Sequence, residues 1–138
     1  MKILVSNCLL GCNCRYKGDN CKNEKVLALA KDNELIGVCP EEEGGLPTPR
    51  DPSEIVNGRV FSRLGKDVTA EYVKGAKIAL KMAQANKVNL VIFKAKSPSC
   101  GCGTIYDGTF TGNKIQGNGI ATDLLLKNGF KVITEDDL

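Results

Sequence analysis

Three of the seven cysteines in this chain follow stretches that have the apolar pattern of a β-strand. They are Cys8 after residues 2–5, Cys39 after residues 35–38, and Cys100 shortly after residues 90–93. Because ligands bind at the carboxyl ends of the strands in an open parallel α/β sheet, one such sheet would bring the three thiols together. The spacing therefore indicates a thiol-lined site at one edge of a sheet.

The composition narrows the chemistry that such a site can do. Histidine is absent from the 138 residues, which excludes Ser-His-Asp and Cys-His catalysis and every zinc site that needs imidazole. Acid–base steps therefore fall to carboxylates, lysines, tyrosines or thiols. Tryptophan is absent and aromatic residues make up only 5% of the chain, so no stacking platform for single-stranded nucleic acid is indicated. The net charge of +3 neither requires nor forbids an RNA partner.

The role of the cysteines also depends on the cellular compartment, because the compartment decides whether thiols stay reduced. The first residues show no charged segment followed by the apolar run of a secretory signal, and no run approaches the length of a membrane helix. We therefore expect a cytoplasmic protein without a membrane segment. In a reducing compartment, a group of cysteines indicates metal binding or catalysis rather than disulfides.

The elements that position the thiols alternate between strands and helices. The pattern predicts strands over residues 2–7, 35–38, 88–93 and 131–134, and helices over residues 23–33, 68–86 and 118–128. The first strand, helix and second strand form a βαβ unit, whose right-handed crossover makes the strands parallel. We expect one three-layer α/β domain over residues 1–138, with a mostly parallel sheet of four or five strands and helices on both faces.

Two small hairpins are expected outside the main sheet. Four of the five prolines fall in residues 40–52, so residues 40–66 are predicted to form a constrained loop without a central strand or long helix. That loop leads to a hairpin at Asn57-Gly58, a dipeptide preferred in two-residue type I′ turns. A second hairpin is predicted over residues 104–112, with Asp107-Gly108 at its centre.

The spacing of the remaining cysteines supports neither a zinc ribbon nor a redox pair. The runs Cys8-x3-Cys12-x-Cys14 and Cys100-x-Cys102 both lack the Cys-x2-Cys spacing of those sites. A non-catalytic zinc-binding domain with four thiolate ligands and a thiol redox protein stay open as alternatives.

Three thiolates around an open crevice suit an iron–sulfur cluster in which one iron has no protein ligand. Such an iron can act as a Lewis acid or bind a substrate atom. Iron is thiophilic, so the pattern favours an enzyme of sulfur chemistry.

Six motifs occur in order along nearly the whole chain. They are SNCLLG at 6–11, CRYKG at 14–18, VCPE through GGLPTPR at 38–50, GKDVT at 65–69, SPSCG at 97–101 and IYDGTF at 105–110. In this set and order the chain resembles the family of small bacterial thiouracil desulfidases, long catalogued as a domain of unknown function.

The resemblance implies a reaction and a cofactor. Enzymes of this family convert 2-thiouracil and related thiolated pyrimidines to the oxygen forms with release of sulfide, and they use a [4Fe-4S] cluster held by three cysteines. The ligands implied here are Cys8, Cys39 and Cys100, which leaves the other four cysteines outside the ligand set. The expected partner is a small thiolated pyrimidine, with base, nucleoside and nucleotide all open, and thiolated tRNA open as well.

The same interpretation needs a base that activates water. Glu41, two residues after Cys39, is the expected base, with Glu42 and Glu43 as alternatives because the direction of the loop is unknown. Ser99 is the second expected catalytic residue.

Four further residues are expected to contact the substrate. Ser97, like Ser99, would position it or donate a hydrogen bond to a cluster sulfur. Arg15, Arg50 and Lys94 would hold the polar edge of the pyrimidine or an appended phosphate.

Overall fold

The computed structural model describes residues 1–138 and places four strands in one parallel sheet. In chain order the elements are β1 (Lys2–Ser6), α1 (Glu24–Ala28), β2 (Glu34–Val38), α2 (Pro40–Glu43), β3 (Ser53–Val56), β4 (Arg59–Ser62), α3 (Thr69–Ala85), β5 (Leu90–Phe93), β6 (Thr104–Tyr106), β7 (Lys114–Gln116), α4 (Ile120–Lys127) and β8 (Val132–Thr134). The sheet has the order β2-β1-β5-β8, and all neighbouring strands pair in parallel. The expected fold class is confirmed, with four strands.

A separate apolar layer covers each face of the sheet, because alternate side chains of a strand point to opposite faces. On one face, Leu4 and Phe93 pack against α3 and α4. On the other face, Ile3 and Ile92 pack with Val26 of α1. The central strands are therefore buried on both sides, and their carboxyl ends are left as the place where ligands can enter.

The helices differ in length from the sequence expectation. Helix α1 ends at Ala28 and continues as a 3-10 turn over Leu29–Lys31, and the side chain of Asn23 caps it by accepting a hydrogen bond from the Val26 N–H. The short helix α2 lies where only a loop was expected. It begins at Pro40, a residue that the first helical turn accepts because no partner is needed there for the missing N–H. None of the helices has the length and hydropathy needed to cross a membrane.

Both expected hairpins are present, but the second is longer than predicted. Strands β3 and β4 flank Asn57-Gly58 as expected. Strand β6 pairs with β7 at residues 114–116, beyond the predicted end of the hairpin at residue 112. The carboxylate of Glu54 accepts hydrogen bonds from the backbone N–H groups of Gly108 and Phe110, at 2.9 and 3.2 Å. This tertiary contact holds residues 107–113 as a wide loop instead of a tight turn.

Helix α2 lies directly against α3, because glycines stand at the contact. A Cβ atom on Gly75 of α3 would collide with the carbonyl oxygen of Pro40, and one on Gly44 would collide with the backbone of Glu71. Only glycine permits this close approach. The contact brings the start of α2, with Cys39 and Glu41, to the carboxyl edge of the sheet.

Candidate active site and metal centre

A cavity of about 460 Å³ opens at the carboxyl edge of the sheet. We call it the strand-end cavity. Its walls include all nine site residues expected from the sequence, which are Cys8, Arg15, Cys39, Glu41, Arg50, Lys94, Ser97, Ser99 and Cys100. These residues come from segments that are far apart in the chain, so the fold brings the whole predicted set to one place.

Three neighbouring strands supply the three expected thiols. Cys8 lies in the 3-10 turn Asn7–Leu10 that follows β1, and Cys39 lies between β2 and α2. Cys100 follows β5 after a short turn, and it is buried together with Cys8. None of the seven cysteines forms a disulfide bond.

A fourth thiol also lines the cavity. Cys14, only 4% exposed, lies beside Cys39, whose Sγ donates a weak hydrogen bond to the Cys14 carbonyl oxygen at 3.8 Å. The sequence interpretation left Cys14 outside the site. The sequence did contain a signal for Cys14, because it is the first residue of the CRYKG motif. The next two residues of that motif, Arg15 and Tyr16, line the same cavity.

The protein environment raises the pKa of three of these thiols in the metal-free protein. Burial raises the pKa of Cys100 to about 12. A hydrogen bond from Cys39 acts to lower the pKa of Cys14, but the contact with Cys8 and burial outweigh it and raise that pKa to about 12. The contact with Cys14, together with burial, raises the pKa of Cys39. A metal that binds these sulfurs must therefore displace protons.

Of the three adjacent glutamates, only Glu41 faces the cavity. Its Oε1 accepts a hydrogen bond from Nε of Arg50 at 3.1 Å, and its Oε2 accepts one from the Ser99 hydroxyl at 2.9 Å. Glu42 and Glu43 are exposed on α2 and do not line the cavity. The direction of α2, which the sequence left open, thus selects one carboxylate out of three.

Two serines shape the turn before Cys100. The Ser97 hydroxyl oxygen accepts hydrogen bonds from the backbone N–H groups of Ser99 and Cys100, at 3.1 and 2.8 Å. The Ser99 hydroxyl lies 3.5 Å from Sγ of Cys100 and donates to Glu41. Ser99 therefore connects the Glu41 carboxylate to the Cys100 thiol.

The guanidinium of Arg50 has protein partners on all three nitrogens. Besides Glu41, it donates to the Thr48 hydroxyl at 2.8 Å, to the Pro47 carbonyl oxygen at 3.2 Å, and to the Cys14 carbonyl oxygen at 2.8 Å. Its side chain is 7% exposed, and that of Glu41 is 15% exposed. Burial acts to lower the pKa of Arg50, but the Glu41 carboxylate outweighs burial and raises it. This arrangement favours positioning of Glu41 over direct contact with a substrate.

The other two expected cations also have acidic partners. The ammonium of Lys94 lies 2.6 Å from a carboxylate oxygen of Glu135, and this partner raises the pKa of Lys94 against the effect of burial. Arg15 pairs with Asp19 at 3.1 Å, lines the cavity and keeps a partly exposed side chain. Contact of these two residues with a substrate stays a prediction.

Aromatic side chains form another part of the cavity wall. All three tyrosines of the chain, together with Phe110, line it. Tyr72 is buried on α3, and burial raises its pKa well above the usual value. The sequence interpretation assigned no role to Tyr16, Tyr106 or Phe110, although they lie within the motifs CRYKG and IYDGTF. Their flat rings suit a planar ligand.

Replacing Arg50 by alanine is expected to lower the free energy of unfolding by about 3–5 kcal/mol, because the change leaves the buried Glu41 carboxylate without its counter-charge. Urea denaturation of the metal-free protein measures the effect. Arg59→Ala is the matched control, since it breaks an ion pair with Asp67 that is largely exposed and should change stability little. Equal losses in the two variants would contradict the structural role of Arg50.

The fold and the cavity together define a class of protein, a parallel α/β domain with a thiol-lined cavity at its strand ends. A comparison with family models gives the particular family. The chain belongs to the 2-thiouracil desulfurase family, whose model matches residues 3–137. The resemblance inferred from the motifs is thereby confirmed, and so is the expectation of an enzyme of this family.

The chain is also similar to two known proteins. The chain is 42% identical over 146 residues to the uncharacterized protein YbbK of Bacillus subtilis (strain 168), covering 99% of this chain and 97% of that protein. The solved structure of the [4Fe-4S]-dependent thiouracil desulfidase TudS superposes with a TM-score of 0.93 at 42% identity, covering 99% of this chain and 92% of TudS.

The donors in the cavity fit a cluster of the kind that TudS needs. Cys8, Cys39 and Cys100 offer soft sulfur ligands from three neighbouring strand ends, which is the donor type that iron–sulfur clusters require. The chain has no imidazole to compete with them. The cavity volume of about 460 Å³ lies in the range typical of small-molecule sites.

Proposed function

We propose that this protein is a [4Fe-4S]-dependent desulfidase that replaces the sulfur of a thiolated pyrimidine of the 2-thiouracil type by oxygen and releases sulfide. The single observation that carries the proposal is the meeting of three strand-end thiols and the Glu41 carboxylate in one cavity. A cytoplasmic location belongs to the same proposal, because a reducing compartment keeps cluster thiols free.

Cys8, Cys39 and Cys100 would hold the cluster. When bound, it would supply an iron without a protein ligand, which attracts the substrate sulfur and withdraws electron density from the adjoining carbon. The overall change is hydrolytic: a water oxygen forms the new carbonyl, the carbon–sulfur bond breaks, and the sulfur leaves with the two protons of the water. No oxidant or reductant is consumed.

Glu41 is the proposed general base. Its carboxylate is aimed into the cavity by Arg50 on one oxygen and by Ser99 on the other, so its direction is set before a substrate enters. A water in the cavity would give its proton to this carboxylate while its oxygen attacks the thiocarbonyl carbon. Ser99, which already donates to Glu41, would pass a proton between the carboxylate and the departing sulfur.

The walls of the cavity support a planar heterocyclic substrate. The rings of Tyr16, Tyr106 and Phe110 offer apolar surface for stacking. Ser97 and the partly exposed Arg15 are proposed to contact the polar edge of the pyrimidine, and Lys94 is proposed to add positive charge on the same side.

Anaerobic reconstitution tests the proposal. The metal-free protein is incubated with iron and sulfide, desalted, and analysed for iron, sulfide and visible absorption, and then mixed with 2-thiouracil. We expect a brown protein with about four irons per chain that forms uracil and sulfide in equal amounts. A metal-free protein that takes up no iron under these conditions would contradict the cofactor and favour the non-catalytic zinc domain. Cluster loading without any sulfide release would support the proposed cofactor but contradict the proposed reaction.

A further inference from the structure

A second group of metal-binding atoms lies beside the proposed cluster ligands. The Sγ atoms of Cys14 and Cys39 and a carboxylate oxygen of Glu42 all lie within 4.8 Å of one another. The proposed function uses Cys39 but gives no role to Cys14 or Glu42.

We propose that Cys14, Cys39 and Glu42 form a site for a single thiophilic divalent cation of the zinc class, which competes with the iron–sulfur cluster for Cys39. This inference rests on the proposed function only where it concerns the competition. The site itself follows from the three donors.

The backbone holds each of the three donors in place. Cys14 is buried, and its carbonyl oxygen accepts a hydrogen bond from Arg50. Cys39 lies at the start of α2, whose position is set by its contact with α3. Glu42 lies one turn further along α2. A cation therefore meets donors that need only small side-chain movements to close around it.

Other side chains orient the donor carboxylate. The Thr48 hydroxyl donates to Oε2 of Glu42 at 2.5 Å, and Thr48 in turn accepts a hydrogen bond from Arg50 at 2.8 Å. Hydrogen bonds of this kind fix the direction of a ligand and are typical of built metal sites. Arg50 thus donates one hydrogen bond to the Cys14 backbone and another to Thr48, the residue that orients Glu42.

The donor types select the cation. Two thiolates and one carboxylate match the ligands of zinc, whereas calcium and magnesium prefer oxygen ligands alone. Three protein ligands also leave a fourth tetrahedral position for water, as in open zinc sites. Because one sulfur cannot serve both centres, a cation at this site removes Cys39 from the cluster set.

The test is a titration of the metal-free, reduced protein with Co²⁺ as a spectroscopic probe, followed by displacement with Zn²⁺. We expect one tetrahedral, thiolate-bound Co²⁺ per chain. Cys14→Ser and Glu42→Gln should each weaken binding by about 10²-fold. The matched controls Cys21→Ser and Glu43→Gln should leave the affinity unchanged, and far-ultraviolet circular dichroism verifies that every variant is folded.

Two further variants separate this site from the cluster site. Cys100→Ala should keep Co²⁺ binding although it removes a proposed cluster ligand, and Cys14→Ser should still take up iron to the wild-type level. Zinc bound beforehand should block iron uptake in the wild type and not in Cys14→Ser.

Two results would overturn the site. One is unchanged Co²⁺ affinity in Cys14→Ser, and the other is an equal loss in Cys100→Ala, because the cation would then lie among the cluster ligands. Failure of the wild type to load iron would contradict the proposed function and leave the Co²⁺ titration as an independent test of this site.

Discussion

Glu41→Gln is expected to lower kcat for sulfide release from 2-thiouracil by about 10²–10⁴-fold, with the cluster still bound. The amide keeps the size of the side chain and can still accept a hydrogen bond from Arg50, but it cannot take a proton from water. The measurement is the rate of sulfide release by the reconstituted variant, with iron counted in the same sample. Because the change affects a proton-transfer step, KM should change far less than kcat.

Glu43→Gln is the matched control for this prediction. It makes the same chemical change two residues further along α2, on a side chain that is exposed and does not line the cavity. Its activity should equal that of the wild type. If Glu41→Gln kept wild-type activity, the base would have to be another group. If both variants lost activity together, the acidic helix would act through its overall charge.

Cys100→Ala is expected to abolish cluster loading, so that iron falls from about four per chain to well below one and sulfide release disappears. The thiol is buried in the cavity wall at the end of β5, and no other sulfur from the same loop lines the cavity to replace it. Anaerobic reconstitution with iron analysis and visible absorption measures the effect. The cost in stability should stay small, since the change removes a single sulfur atom.

Cys102→Ala provides the comparison within the same loop. Its thiol points away from the cavity, with Sγ 3.6 Å from the carbonyl oxygen of Val132, and it is absent from the cavity wall. Iron loading should be that of the wild type. If Cys100→Ala kept the cluster and Cys102→Ala lost it, the third ligand would be Cys102 and not Cys100.

The strands and the three strand-end thiols could be predicted from the sequence because the signal is local. Continuous apolar runs such as residues 90–93 mark strands that are covered on both faces, and the βαβ order makes them parallel. Three cysteines that follow such strands must then meet at one edge of the sheet. The absence of histidine is equally plain from the sequence, and it restricts the acid–base chemistry whatever the fold.

Side-chain direction in the loops could not be predicted in this way. Glu41, Glu42 and Glu43 are equivalent in sequence, and the close contact of Gly44 with α3 decides which of them faces the cavity. Arg50 looked like a free cation, but its guanidinium donates hydrogen bonds to four other residues of the chain. The loop of the second hairpin is widened by hydrogen bonds to the carboxylate of Glu54, which lies more than fifty residues earlier in the chain.

The sequence by itself determined the sheet, the edge at which Cys8, Cys39 and Cys100 meet, and the family, because these depend on hydrophobic periodicity and on residues in fixed order. Only the tertiary structure decided that Glu41 is the carboxylate held beside Ser99 and that Cys14 joins the cavity wall next to Cys39. The physical reason is that these contacts join segments far apart in the chain, and their geometry is set by the packing of α2 on α3 and by hydrogen bonds between loops.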